Sequence, residues 1–275
     1  MSAVAARLGF WRRSRTPAER LFQGTLIVLL HTPLLALPFF EPRWRDAAAF
    51  VTLYFLNAFS LTVAVHRYFA HGAFKTSRWF QCVLAWSAGA FFGDVVFFAG
   101  KHRIHHKYSD TDVDPHSPRR GFWYAWFGNL IDDGWSDRDK LAAAPDLMKC
   151  PELAWQHRWW GLLGIAFAAA VWAVGGWGMI VWAYSPVLVI RMHLMSGINY
   201  FCHQEGGDGR TDRSVNYLPL VVLLLGEGWH QNHHRYPDSA RLGLMRGQID
   251  PGYYILKALE RVGVVWDLRE PHLHP

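Results

Sequence analysis

Residues 79–100 read WFQCVLAWSAGAFFGDVVFFAG, and the topology of the whole chain turns on whether this stretch crosses a membrane. Its length permits a crossing, because about 20 apolar residues reach across a bilayer. The flanks argue against one. His66-Arg-Tyr-Phe-Ala-His71 stands before the stretch and His102-Arg-Ile-His105-His106 directly after it. A crossing would leave these two histidine groups on opposite faces, about 30 Å apart, too far to serve one metal site. Gly89, Gly93 and above all Asp94 weaken it further, since a carboxylate at the bilayer centre is costly. The stretch is expected to be a buried or interfacial helix that returns the chain to the side it left.

Four other segments are apolar and long enough to span: residues 21–40, 47–65, 160–183 and 185–203. The short polar link at 41–46 makes the first two a hairpin. The second pair turns at Ser185-Pro186, or else at Gly175-Gly176-Trp177-Gly178. The run Leu218–Leu225 is too brief to cross. Two spans precede the first histidine group, and two more separate the second from the third, His230-Gln-Asn-His233-His234. All three groups then emerge on the side of the N-terminus. Arg7, Arg12, Arg13, Arg15 and Arg20, with further basic residues at 101–120, mark that side as cytoplasmic. The expected fold is an all-α integral membrane protein of one domain over residues 1–275. Four transmembrane helices in two hairpins would lie under a mainly helical cytosolic cap, residues 66–158 and 204–275, with both termini cytoplasmic.

Composition agrees. Hydrophobic residues make up 51% of the chain, and its 15 Trp suit a protein with two membrane–water interfaces. A mean hydropathy of only +0.02 requires a substantial polar part outside the lipid. The net charge of +6 does not point to nucleic acid, because the N-terminal arginines abut an apolar run. That run reads as a span and not a cleavable signal, ending in Pro38 and two Phe where small residues would be needed. Cys82, Cys150 and Cys202 are scattered and form no C-x-x-C pair.

Histidine is the outlier: 15 are present and nine fall in tight groups. In both H-x-x-H-H groups, spacings of three and four put the imidazoles on one helix face. In His66 and His71 a spacing of five leaves the rings well apart around an α-helix, unless Gly72 ends the helix and lets both turn inward. Asn199 and His203 share a face at the end of the fourth segment. Nine imidazoles, at 66, 71, 102, 105, 106, 203, 230, 233 and 234, are too many for one ion and suit two. Ligand type alone leaves Zn, Cu, Fe and Ni open. A structural zinc site would favour cysteine, which these groups lack. Membrane setting points to redox-active iron and O₂. Glu227, Asp110, Asp112 and Asp114 are candidates to orient imidazole N–H groups, with a solvated loop as the default for the aspartates. His31, His116, His157, His193, His272 and His274 do not cluster and read as ordinary histidines.

With these motifs the sequence resembles the membrane fatty acyl desaturases of the stearoyl-CoA or Δ9 type, bacterial members especially. Their three boxes stand here as HRYFAH, HRIHH and HQNHH, within the surroundings HHKYSDTDVDPHSPRRGF and GEGWHQNHHRYP. The resemblance implies a mushroom-like fold and two irons held by the nine histidines, with Asn199 acting through a bound water. It implies an oxidoreductase that uses O₂ to remove two hydrogens from adjacent methylenes of a fatty acyl chain, leaving a cis double bond. It also implies a kinked apolar tunnel, in which Phe50, Tyr54 and Phe55 of the second span are candidates to limit chain length, with lipid-facing packing as the alternative.

One departure bears on the acyl carrier. Acyl-CoA-type members carry Trp-x-Arg-Asp before the second box; here the residues are Phe98-Ala99-Gly100-Lys101. Lys101, Lys107, Arg119 and Arg120 are candidates for a phosphate, whether of CoA or of a lipid headgroup. No electron-carrying domain is recognisable, so a separate ferredoxin- or cytochrome-like donor is expected. The other readings are a hydroxylase on the same scaffold and a membrane metal carrier or sensor. The last would spread its ligands through the spans, whereas these gather at one face.

Overall fold

The computed structural model describes residues 15–204 and 212–271. Arg7, Arg12, Arg13, His272 and His274 lie outside them. The chain is mainly helical. Helix α1, Pro17–His31, starts at a capping box in which Thr16 and Glu19 exchange hydrogen bonds, with Pro17 in the first turn where its missing N–H costs nothing. It runs on as a tighter turn over Thr32–Phe39. Helix α2, Trp44–Phe59, begins at Arg43, whose guanidinium bonds Asp46 at 3.0 Å, and continues as a π-helix over Ser60–Ala70.

The deciding stretch is two helices, α3 (Arg78–Phe91) and α4 (Val95–Tyr108), bent by 86° at the break. Gly93 supplies the positive φ of the corner, and Asp94 accepts from the N–H groups of Val96 and Phe97 to cap α4. The carboxylate that speaks against a span is thus buried but satisfied, with His157 as a third partner at 2.6 Å. The stretch leaves from His71 and returns to His102, whose Nε2 atoms lie 2.8 Å apart.

Helix α5, Asp137–Ala143, packs across α4. Next comes α6, Pro151–Met179, then a π-helical turn, Ile180–Tyr184, and α7, Ser185–Phe201. Among the described residues three stretches are long and apolar enough to cross a membrane: Pro17–Phe39, Trp44–Ala70 and Pro151–Phe201. The third does not run straight. Gly176 has φ 67° and ψ −163°, outside any helical region. The rings of Phe167 and Tyr184 lie 5.8 Å apart, where an unbroken helix would separate these residues by about 25 Å. The chain therefore doubles back at Gly176, the second of the two candidate turns. Ser185-Pro186, the first, lies inside helical backbone, and the wider π turn before it accommodates a proline that would otherwise clash with the preceding turn. Helix α1 has no buried residue and packs chiefly on α7 and the short turn Asn129–Ile131, so it is not a side-by-side partner of α2.

Among the described residues, the helices after α7 are α8 (Leu218–Leu223), too short to cross as expected, α9 (His230–Arg235) and α10 (Pro251–Arg261). Two short strands, β1 (Lys75–Thr76) and β2 (Val265–Trp266), pair antiparallel and tie the C-terminal segment to the loop after His71. The main core joins Val63, Val65, Phe69 and Phe74 to Leu84, Val95, Leu153 and Leu256, which fixes α3, α4 and the π-helix together beside the histidines.

Candidate metal centre

The nine histidines singled out in the sequence converge into two groups. His66, His71, His102, His106 and His233 form one, and His105, His203, His230 and His234 the other; within each group the ring nitrogens lie within 4.8 Å of one another. The two adjoin, with the rings of His106 and His234 stacked at 4.4 Å. Each H-x-x-H-H motif is divided between them. On α4 the i, i+4 pair His102 and His106 faces the first group while His105 faces the second. On α9 the i, i+4 pair His230 and His234 faces the second while His233 crosses to the first. One helix face thus serves two centres, which the spacing alone does not reveal.

The first box needs a correction. A spacing of five separates side chains on an α-helix, but Ser60–Ala70 is a π-helix, in which each i→i+5 bond widens the turn. The His71 N–H donates to the His66 carbonyl at 3.2 Å, and the two rings sit 5.0 Å apart on one side. Gly72, at φ 58°, ends the helix as expected.

The ring tautomers decide what the groups can bind. The Asp212 carboxyl is pushed up by burial, but hydrogen bonds from His234 and Ser214 outweigh this and hold it well below the usual carboxylate range. An ionised carboxylate only accepts, so Nδ1 of His234 donates to Asp212, and Nε2 carries the lone pair. Likewise His105 Nδ1 meets Asp114 at 3.0 Å and His203 Nδ1 meets Asp110 at 3.3 Å. In the other group Nδ1 of His66 faces Glu227, which also takes the Thr62 hydroxyl. Burial holds His105 and His234 far below the ordinary histidine pKa, so both rings are neutral. Their Nε2 lone pairs nevertheless face each other at 3.3 Å. Two acceptors repel at that distance unless a cation lies between them. Nitrogens bound about 2.0–2.1 Å from a common ion stand about 3 Å apart when adjacent, and the Nε2 contacts within the groups run from 2.8 Å for His71–His102 to 3.3 Å for His105–His234. The residues fit two metal ions, and imidazole donors suit iron among others.

The solvated-loop expectation fails for two aspartates. Asp114 is fully buried and also accepts from the N–H groups of Asp110 and His116; Asp110 is buried and accepts from the Arg213 N–H. Asp112 is exposed. Sequence reasoning passed over two residues. Asp212 follows no box, and nothing in its spacing announces it. His116 is buried with its ring 4.0 Å from that of His105, forming a third cluster with His105 and Asp114; its place in the quoted run after the second box was the available signal. His31 and His193 meet at 3.1 Å, and Trp126 donates to His193.

A cavity of about 300 Å³ reaches the histidines. His66, His102, His105 and His230 line it with Asn199 and Glu227, and apolar walls come from Leu61, Phe92, Phe98, Met195 and Ile198. Phe50, Tyr54 and Phe55 are not among its lining residues. Of the basic candidates, Lys101 also lines the cavity, but its ammonium is held by Asn129 at 3.0 Å and Asp133 at 3.5 Å. Arg119 donates to the Asp110 carbonyl; Arg120 lies over the Tyr124 ring, and Lys107 is exposed.

The chain matches the family described as fatty acid desaturase over residues 42–247. It is 32% identical to icosanoyl-CoA 5-desaturase of Limnanthes douglasii, covering 96% of this chain and 76% of that one. It is also 32% identical to Delta-9 acyl-lipid desaturase 2 of Arabidopsis thaliana, over 95% and 86% of the two chains. With sn-1 stearoyl-lipid 9-desaturase of Anabaena variabilis the identity is 31%, over 82% and 85%.

Proposed function

This chain belongs to the fatty acid desaturase family, an oxidoreductase acting on fatty acyl chains, and on that premise we propose that it introduces a cis double bond, Δ9-like, through a di-iron centre held by the nine histidines. The observation that carries the reading is the pair of inward-facing acceptors, His105 Nε2 and His234 Nε2, beside a largely apolar cavity. Bound iron would supply the redox chemistry, in which O₂, two hydrogens of the acyl chain, two electrons from a separate ferredoxin- or cytochrome-like donor and two protons from solvent would leave as two waters.

The chain's own residues supply the rest. Asp114, Asp110, Asp212 and Glu227 fix the ring tautomers so that lone pairs point inward. Asn199, which lines the same cavity as His230, would hold a water at the centre. Leu61, Phe92, Phe98 and Met195 hold the methylenes and keep bulk water away. In the proposed topology α1, α2 and the two arms about Gly176 are four spans, with α3–α5 and the C-terminal segment capping them on the cytoplasmic side.

The test is the fatty-acid profile of a host expressing the chain, beside a His105→Ala, His233→Ala double variant. Double bonds would be mapped by mass spectrometry of derivatised esters. A new monounsaturated acid absent from the variant supports the reading. Hydroxylated acids would replace desaturation by hydroxylation, and an unchanged profile with verified expression, iron loading and a supplied donor would remove fatty acyl chains as the substrate.

A further inference from the structure

Arg191 lies midway along α7, inside an apolar span, and among the described residues no carboxylate pairs with it. One guanidinium nitrogen donates to the Phe91 carbonyl at the end of α3, and the group lies over the Phe92 ring at 4.7 Å. Its Nε is buried without a hydrogen-bond partner. A charged group with an idle donor at this depth is costly and marks a binding function more often than packing.

Its surroundings indicate what it binds. Arg191 lines the histidine cavity, and it also lines a second cavity, of about 420 Å³. The two share Phe92, Leu130, Arg191 and Met192 and so adjoin at these side chains. The second cavity lies between α1, through Leu26, Ile27 and Leu30, and the Trp160–Gly164 segment of α6. Both flanks belong to membrane-type stretches. Glycines keep this cleft open on the α6 side: a Cβ at Gly161 meets nothing within 4 Å, and one at Gly164 meets only the Gly89 carbonyl at 4.0 Å.

We infer that the cleft between α1 and α6 is a lateral portal through which an acyl chain still esterified in a bilayer lipid reaches the histidines, with Arg191 donating to its ester carbonyl oxygen. This rests on the desaturase reading and adds the acyl carrier to it. A chain arriving from within the bilayer is never exposed to water, which an apolar cleft flanked by spans favours and a cytosolic thioester does not require.

The test uses the full iron-loaded chain in phosphatidylcholine vesicles. A fraction of the lipid carries a diazirine on its acyl chain, and adducts are mapped by mass spectrometry. The comparison is a Gly161→Leu, Gly164→Leu variant, at positions where a Cβ has room and which line the second cavity and not the histidine cavity. Adducts on Phe98 and Met195, deep in the histidine cavity, are expected in the parent and should fall at least tenfold in the variant, with iron content unchanged. Desaturation of vesicle lipid should fall in step. Adducts confined to outward positions such as Leu29 and Ile165 would mean surrounding lipid only and overturn the portal. Desaturation of added acyl-CoA unaffected by the leucines, with no inner adducts, would overturn it while leaving the desaturase reading intact. If the parent desaturates neither substrate, that reading fails, and the inner adducts still decide whether the portal exists.

Discussion

The backbone carbonyl of Lys140 lies directly over Gly100, so close that a Cβ there would overlap it. Backbone cannot step aside as a flexible side chain can. Gly100→Ala should therefore push α5 off α4 and cost about 1–3 kcal/mol. Thermal unfolding in detergent should show a clearly lower midpoint. An unchanged midpoint would mean that α5 is not docked on α4 as described. The same contact accounts for glycine at position 100: a long side chain has no room there.

Asp212 is hydrogen-bonded to His234 at the candidate metal centre. Asp212→Asn should weaken metal retention roughly 10–100-fold without unfolding the chain, read as metal released to a graded chelator series. His31→Gln is the control, since His31 bonds His193 and no member of either group. Equal losses in both variants would show that Asp212 contributes only general stability.

Gly176 sits at φ 67° and ψ −163°, a region that other residues enter only under strain, and open space surrounds its would-be Cβ. Gly176→Ala should consequently cost about 1–3 kcal/mol from backbone strain alone. Metal content should be untouched, because the turn lies far along the chain from every histidine of the two groups. If stability is also untouched, the chain does not reverse at this residue.

Asp133 is buried between Lys140 at 3.0 Å and Lys101 at 3.5 Å. Burial pushes its carboxyl up, but the two ammonium groups outweigh this and hold it below the usual value. A carboxyl with a depressed folded pKa contributes stability above its unfolded value, about pH 4, and loses it as pH falls through the folded value. Asp133→Asn should remove this acid-side dependence and, by leaving buried cations unpaired, cost about 3–5 kcal/mol at neutral pH. Urea unfolding of parent and variant between pH 3 and 7 would check both; parallel pH profiles would refute the assignment.

The legible parts of this molecule were those governed by counting. Apolar length located the membrane-type stretches, and the impossibility of sharing a metal across a bilayer kept residues 79–100 from being read as a span. Histidine spacing located all nine convergent rings. What escaped depends on long-range geometry. Which of two turns breaks the last apolar run hangs on whether a proline can be absorbed by a wider helical turn, and sequence period is blind to that. The roles of Asp212 and His116 arise from contacts across 22 residues to His234 and across 11 to His105. Helix–helix partners were equally hidden: α1 packs on α7, far away in the chain, because short polar links constrain order and not adjacency.

The π-helical segment Ser60–Ala70 has a consequence for how such a chain can change. It acts as a phase adjuster between two stretches of one continuous rod. Below it, α2 presents side chains to apolar neighbours; at its upper end, His66 and His71 must keep a fixed bearing on the other rings. Removing a single residue between Ser60 and Val65, with the wider turns kept, would rotate everything beneath it by about 100° relative to the histidines. Such a deletion would leave the boxes intact in sequence and exchange which face of α2 meets Val171, Ala183 and Val187. Length variation at this one place is thus a route to a differently packed rod that no substitution within it could reproduce.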